Sequence, residues 1–484
     1  MTQKRILIGP FNRVEGDLEV DVAIVDGHVS DARVNSPLFR GFEQILQGKD
    51  PRDALVYTPR ICGICSVAQS VAAAMAIADA QKIEVARNGR LATNIILATE
   101  NLADHLTHFY LFFMPDFARD YYRPQAWFGD TEARFKAQRG SAAPAMLQAR
   151  AAFLNITGIL AGKWPHSMSL QPGGSTRAVA PQERIRLLAL LGQFRQFLQT
   201  TLFGDSLDNI AALNSREALY RWAEAHPDSD FGRFLHIAGA LSLHTLGRAT
   251  DRFLSYGAYA LDDGAGHVFS RGSFDGRVQA LDTAAISEDI SHSWMDGPAQ
   301  QSHPFDSDTR PGADAGKGYT WCKAPRLAGK VMECGAIARQ VVHGHPLIRD
   351  LVAQHGGNVE SRIVARMLEL ALLVPQMENW VRELRAGEAF CNQAPLPDDA
   401  DGAGLTEAAR GSLGHWLRIR DGRIHNYQII APTTWNFSPR DAQGTPGALE
   451  QALPGTPVAD DDEQRVNVQH VVRSFDPCMV CTVH

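Results

Sequence analysis

Two Cys-x-x-Cys pairs stand at opposite ends of this 484-residue chain. The first reads Arg60-Ile61-Cys62-Gly63-Ile64-Cys65. The second reads Asp476-Pro477-Cys478-Met479-Val480-Cys481 and precedes Thr482, Val483 and His484. A thiolate is a soft ligand suited to zinc, copper(I), nickel or iron. One such pair alone is common to zinc knuckles and thioredoxin-like redox sites. Two pairs so far apart can close around one centre only if the fold brings both ends of the chain into its core. A structural four-cysteine zinc site is the plainest alternative. Its pairs usually lie about 15–20 residues apart, and it staples small domains that lack a core. A thiol–disulfide protein with two independent redox couples and no tight metal is a further alternative. His484 follows Cys481 by three positions, and that cysteine would anchor it near the core, where a chain end would otherwise fray.

The remaining cysteines, Cys322, Cys334 and Cys391, stand alone and read as small buried apolar residues. They lack the spacing of an iron–sulfur cluster, so clusters would have to come from a partner. Seven cysteines, an odd number, argue against a disulfide framework. Hydrophobic content of 45% and charged content of 21% are those of a folded chain with a large core. A net charge of −7 and the lack of a Lys/Arg run exclude a broad nucleic-acid or acidic-membrane footprint. The apolar stretch before Gly9-Pro10 is too short for a secretory signal. No run reaches the ~18 apolar residues that a membrane span needs. A cytoplasmic protein without nucleic-acid partner or membrane span is expected.

The elements that must position the cysteines follow from periodicity. Leu18 to Val25 alternates apolar with acidic residues, Asp26-Gly27 offers a turn, and Val29 to Val34 returns. Trp416 to Ile419, Asp421-Gly422 and Ile424 to Ile430 form a similar hairpin near the other end. The two hairpins are expected to share a small sheet that draws the ends together. Between them, Ser66 to Lys82, Leu91 to Phe113, Pro181 to Phe203, Arg216 to Leu246 and Asn358 to Leu384 repeat apolar residues at helical spacing, the last interrupted by Pro375. Residues 262–330 and 386–411 are rich in Gly, Asp and Pro and read as loop. The expected fold class is mainly α with small β elements (α+β). It is a long helical bundle around a buried metal centre, with both chain termini in the core and residues 1–484 as one domain.

Several ordered motifs then coincide. They are Asn12-Arg13-Val14-Glu15-Gly16, Phe39-Arg40-Gly41-Phe42-Glu43, the first cysteine pair, and Asp104-His105-Leu106-Thr107-His108-Phe109-Tyr110. Further on come Lys323-Ala324-Pro325-Arg326, Glu407-Ala408-Ala409-Arg410-Gly411, Ala431-Pro432-Thr433-Thr434-Trp435-Asn436, and the closing Asp-Pro-Cys-x-x-Cys-x-x-His. Together they closely resemble the large subunit of nickel–iron hydrogenases. The resemblance implies that Cys62, Cys65, Cys478 and Cys481 hold nickel. Cys65 and Cys481 would also bridge to an iron carrying one CO and two cyanides. The implied reaction is reversible heterolytic splitting of dihydrogen into a proton and a hydride, then two electrons and a second proton. The resemblance places Arg410 over the open position, held by Asp104 and Asp476. Either Arg410 or the Cys478 thiolate would be the base, and Glu15 would carry the proton outward. His108 shares a helix face with Asp104 and could equally be a hydrogen-bonded core histidine. Pro432 and Thr433 would lie against the diatomic ligands. Glu43, His484 and the Ile429 carbonyl would bind magnesium with waters. The implied partners are an iron–sulfur small subunit, in a heterodimer open to further pairing, and metal-centre maturation proteins.

Three positions depart from the family pattern. Gln69 stands where a His is usual after the first pair, Asp17 where a His follows Arg-x-Glu-Gly, and Ala409 where a Pro precedes the Arg. Gln69 keeps hydrogen bonding to a bridging sulfur but carries no charge. The chain also ends at His484, without the extension that most catalytic members carry before processing. Hydrogen-sensing (regulatory) members resemble this chain in both the Gln and the missing extension. The expectation is therefore a low-turnover sensor that signals to a histidine kinase. The alternative within the family is an energy-conserving uptake enzyme in processed form. Outside it stands a zinc-site scaffold.

Overall fold

The computed structural model describes residues 4–262, 266–298, 302–312, 318–459 and 465–484. Strands Lys4–Ile8, Glu19–Val25 and His28–Asn35 form one antiparallel sheet in chain order. Val20 and Val22 turn inward while Glu19 and Asp21 face outward, the alternation expected of a half-buried strand. Asp26 and Gly27 both adopt the positive φ that a two-residue hairpin turn demands. Strands Ala400–Ala408, Gly411–Arg420 and Arg423–Ile430 form a second antiparallel sheet, turned at Asp421-Gly422. The two hairpins therefore lie in separate sheets, contrary to the expectation of a shared one. Each recruits a third strand close in sequence, and short closures cost less entropy than a long-range pairing.

Direct backbone pairing draws the ends together instead. The Glu15 N–H donates to the Pro477 carbonyl at 3.3 Å, and the Met479 N–H donates to the Glu15 carbonyl at 2.7 Å. The tip of the first hairpin is tied in the same way, Val29 N–H to the Thr456 carbonyl and Val458 N–H to the Gly27 carbonyl. The C-terminus is buried through His484, while the strand Lys4–Ile8 lies at the surface and the chain turns inward at Phe11.

Helix makes up 46% and strand 18%, so helix is the main component, as expected. Helices Ser66–Gln81, Arg87–Thr107, Pro181–Phe197 and Val359–Glu383 form where the periodicity places them. Arg87–Thr107 continues through a π-helical turn, His108–Phe113. The stretch from Arg216 divides into Arg216–Ala225 and Asp230–Ala240. Ser215 and Ser229 cap the two parts by accepting from the N–H groups of Ala218 and Gly232. Pro375 does not interrupt its helix. A mid-helix proline costs about 3 kcal/mol, but this helix buries apolar residues on most sides, each worth about 1.5–3 kcal/mol. A further helix, Ala142–Ala161, was not expected. Among the described residues no helix is long and apolar enough to cross a membrane.

The expected loops also contain strands. Residues 262–330 include His267–Phe269, Gly272–Asp275, Ile286–Asp289 and Ala324–Leu327, and the second region holds Ala400–Ala408. Gly402 and Gly404 made that last strand read as loop. Their real role is close approach. A Cβ on Gly402 would meet the Ala76 carbonyl oxygen at 2.1 Å, and one on Gly404 would meet that of Ala72 at 1.9 Å. The Ala-rich helix Ser66–Gln81 thus lies directly on bare backbone, and this contact sets the height of Cys65 at its N-terminus. Gly404→Val should therefore destabilise the protein by about 1–3 kcal/mol or more and reduce bound metal. Gly192→Ala, where a Cβ meets nothing within 4 Å, should be neutral or stabilising by up to about 1 kcal/mol. Thermal denaturation and metal analysis check both. An unchanged Gly404 variant would contradict the packing account.

Candidate metal centre

Cys62 follows a tight turn at Thr58–Arg60, and Cys65 stands immediately before the helix Ser66–Gln81. The second pair leaves the helix Val466–Ser474 through Asp476, whose φ of 56° bends the chain back. The Sγ of Cys65 lies 2.9 Å from that of Cys481, Cys478 lies 3.2 Å from Cys481, and Cys62 lies 3.5 Å from Cys478. All four sulfurs fall within 4.8 Å of one another, and all four cysteines are buried and free of disulfides. Two metal–sulfur bonds of about 2.3 Å reach across about 4.6 Å at most, so sulfurs this close can share one ion with little movement. Hydrogen bonds from Cys478, Cys481 and Cys65 hold the Cys62 thiol well below its usual range. Contact with Cys478 and Cys481 pushes Cys65 well above it, and burial with Cys478 does the same to Cys481. Four buried thiolates repel one another unless a cation joins them, so the donor set fits a soft metal.

Two groups hold this cluster that sequence reasoning missed. Glu100, on the neighbouring helix, accepts from the N–H groups of Val67 at 2.9 Å and Ala68 at 3.0 Å, from Ser66 Oγ, and from Trp164 Nε1. It caps the Cys65 helix from across the core, and burial pushes its carboxyl up to about 7. The signal was an acid among apolar residues in a strongly helical stretch. Arg40 donates to the Ile61 carbonyl at 2.6 Å and to the Val480 carbonyl. It thereby ties together the residues that precede Cys62 and Cys481.

The structure brings Arg410, Asp104 and Asp476 together. The Arg410 guanidinium lies 3.1 Å from Asp104 Oδ2 and 3.1 Å from Asp476 Oδ1, and its Nε donates to the Asp476 carbonyl at 2.9 Å. Burial opposes its charge, but Asp104 and Asp476 outweigh burial and hold it firmly protonated. Arg339 fixes the turn that carries Arg410 by donating to the carbonyls of Ala408 at 2.8 Å and Ala409 at 3.1 Å. Glu369 and Glu407 hold Arg339 in turn. Ala409 thus sits in a clamped loop, whereas Asp17 is exposed.

Glu15 is half-buried, and its backbone flanks Cys478. Burial and the Cys62 sulfur push its carboxyl up. Its loop is fixed upstream, where Arg473 donates to Asn12 Oδ1 at 2.7 Å and Arg13 pairs with Asp116. Thr433 Oγ1 accepts from the Cys478 N–H at 3.1 Å, and Pro432 opens the short helix Pro432–Asn436 that carries it. His108 Nε2 donates to the Arg473 carbonyl at 2.7 Å, and burial pushes the ring down to about 3. It takes the form of a neutral core histidine. Gln69 lies with its amide nitrogen 4.0 Å from the Cys481 sulfur and its amide oxygen 2.8 Å from His415 Nε2.

Glu43, Ile429 and His484 also meet. Glu43 Oε1 accepts from the Ile429 N–H at 2.8 Å and lies 3.2 Å from His484 Nε2. The motif residue Lys323 stands among them, 2.8 Å from Gln428 Oε1 and 3.4 Å from both Glu43 and Glu288. Thr309 donates to Glu43 as well. Burial alone would raise Glu43, but Lys323 and His484 bring it down to about 2. His484 Nδ1 donates to the Cys481 carbonyl at 3.0 Å. That leaves the Nε2 lone pair facing a carboxylate oxygen, a clash that a second ring proton or an intervening cation resolves. Glu288 Oε1 has no hydrogen-bond partner among the described residues.

The family described as "Nickel-dependent hydrogenase" matches residues 40–121 and 114–484. The chain is 30% identical to the periplasmic NiFeSe hydrogenase large subunit of Desulfomicrobium baculatum, over 99% of this chain and 95% of that one. It is 28% identical, over the same shares, to the uptake hydrogenase large subunit of Cupriavidus necator. The solved Ni-Fe-Se hydrogenase from D. vulgaris Hildenborough in the reduced state superposes with a TM-score of 0.85 at 30% identity, covering 100% of each chain. The selenium in those names belongs to those proteins, since all four soft donors here are cysteine sulfurs. With its four-cysteine site and full-length likeness, the chain belongs to the nickel-dependent hydrogenases, as the large subunit of an oxidoreductase.

Proposed function

We propose that this chain, as one domain spanning residues 1–484, is the metal-bearing large subunit of an uptake-type hydrogenase that draws electrons from dihydrogen. The observation that carries the reading is the convergence of four buried sulfurs from both ends of the chain, beside a guanidinium held by two aspartates. Cys62, Cys65, Cys478 and Cys481 would hold nickel, and Cys65 and Cys481 would share it with an iron carrying one CO and two cyanides. That group, when bound, supplies heterolytic cleavage of dihydrogen and takes up its electrons.

The chain's own residues divide the remaining work. Arg410 stays charged, so it acts by its field and its hydrogen bonds rather than as the base. The Cys478 sulfur would be the proton acceptor, since Arg410 is already protonated and the Glu15 backbone lies against Cys478. Glu15 takes the proton next. Its backbone brackets Cys478, and burial has raised its carboxyl toward a range where it can accept and release a proton. Thr433 already accepts from the Cys478 N–H, which leaves its own O–H to donate to a diatomic ligand beside Pro432. Glu43, His484 and the Ile429 carbonyl would hold magnesium with waters. The lone-pair clash between His484 and Glu43 and the open Glu288 oxygen support a cation there. An iron–sulfur small subunit would take the electrons, since the three other cysteines lie outside the described cluster.

The names of the curated relatives, periplasmic and uptake, support energy-conserving oxidation rather than sensing. One observation favours the second reading, a hydrogen sensor with a histidine-kinase partner and a cytoplasmic location. It is the uncharged Gln69 amide beside Cys481. Infrared spectra of the chain co-purified with its small subunit, under argon and then dihydrogen, test the metal centre. One CO and two cyanide stretches that respond to the gas are expected, and a spectrum without them would contradict the reading. Arg410→Lys should keep those bands while lowering turnover by about 10²-fold or more. Wild-type turnover in that variant would remove Arg410 from the mechanism. Hydrogen-dependent phosphorylation of a co-expressed kinase would favour the sensor.

A further inference from the structure

Behind Cys481 lies a buried row of three polar side chains that the reaction described above does not use. Gln69 stands one turn into the helix Ser66–Gln81. His415 lies on the strand Gly411–Arg420, and Tyr427 on the neighbouring strand Arg423–Ile430. His415 pairs in register with Ile429 and Leu417 with Tyr427, so His415 and Tyr427 are diagonal neighbours on one face. His415 Nδ1 lies 2.8 Å from the Tyr427 hydroxyl, and Nε2 lies 2.8 Å from the Gln69 amide oxygen. All three residues are fully buried.

The donor and acceptor roles in this row are fixed from one end. A thiolate sulfur only accepts hydrogen bonds, and the Gln69 amide nitrogen faces Cys481 at 4.0 Å while its oxygen faces His415. An amide oxygen only accepts, so His415 must carry its proton on Nε2. Nδ1 is then an acceptor, and the Tyr427 hydroxyl must donate to it. A neutral ring in this row carries its one proton on Nε2.

We infer that Tyr427 and His415 are positioning residues of the metal centre, a one-way chain of hydrogen bonds that holds the Gln69 amide with its NH2 toward the Cys481 sulfur. The inference rests on the nickel–iron reading above. Without the chain, the amide would be free to rotate and present its oxygen to the sulfur. The NH2 contact withdraws electron density from the thiolate and so tunes the centre, as hydrogen bonds to cluster sulfurs do. A residue type that differs from the family's usual His at position 69 thereby keeps a fixed donor at the sulfur.

Infrared spectra of the intact heterodimer test this, with metal content measured for each variant. Tyr427→Phe and Gln69→Leu should each shift the CO stretch to lower frequency, because a more electron-rich centre donates more density into CO. The double variant should shift no further than Gln69→Leu alone, since Tyr427 acts through Gln69. Wild-type band positions in Tyr427→Phe, or shifts that add in full, would overturn the proposal. Should Tyr427→Phe fail to retain metal, neutron diffraction of the wild-type heterodimer decides. A proton on His415 Nε2, with the Gln69 NH2 toward Cys481, is expected. A proton on Nδ1, or the amide oxygen toward the sulfur, would overturn it. Wild-type protein without CO and cyanide bands would instead refute the metal reading.

Discussion

Four buried sulfurs within 4.8 Å of one another make up the constraint on which the rest of this structure depends. Ionising four thiols in a low-dielectric interior is prohibitive without a cation. Folding around the site and loading it are therefore linked. The sulfurs come from the two ends of the chain, so the fold must also hold the ends against each other. The Glu15–Cys478 backbone bridge, the Arg40 tie between Ile61 and Val480, and the pairing of the first hairpin with residues 456–458 do so. Each is a hydrogen-bonded contact between segments that composition alone would not bring together.

Guanidinium groups recur in this role. Arg339 donates to the carbonyls of Ala408 and Ala409, Arg366 to that of Ser474, and Arg473 to that of Asn12. All three are buried, and Arg339 and Arg473 are also paired with carboxylates. A planar fork with five donors can serve a carboxylate and a carbonyl at once. A lysine could not make both sets of contacts. Burying these charges costs desolvation that such pairing only offsets. The return is geometric, because the carbonyls they hold belong to the segments that carry Arg410, Asp476 and Glu15.

The chemistry was more legible in the sequence than its supports were. The cysteine pairs, Arg410 with Asp104 and Asp476, and Glu43 with His484 stood in local motifs, and the structure brings each set together. Glu100 showed only as an acid among apolar residues of a helix, and His415 carried no local signal, because their partners Val67 and Gln69 are distant in the chain and meet them only through tertiary packing. The strand Ala400–Ala408 was hidden because Gly402 and Gly404 are poor strand formers. Their selection answers to the Ala72 and Ala76 carbonyls, which lie in another element. Pro375 misled for a related reason, since the burial around its helix outweighs a local penalty. The likeness to periplasmic and uptake large subunits supports uptake, and the Gln69 amide beside Cys481 is the side chain that favours sensing.

The central claim is that one centre joins all four cysteines. X-ray absorption at the nickel edge of the purified heterodimer tests it most directly. The account predicts nickel surrounded by sulfur with iron as a near neighbour, and loss of sulfur neighbours in Cys62→Ser and in Cys478→Ser alike. Zinc in place of nickel, or nickel bound mainly by nitrogen and oxygen, would contradict it.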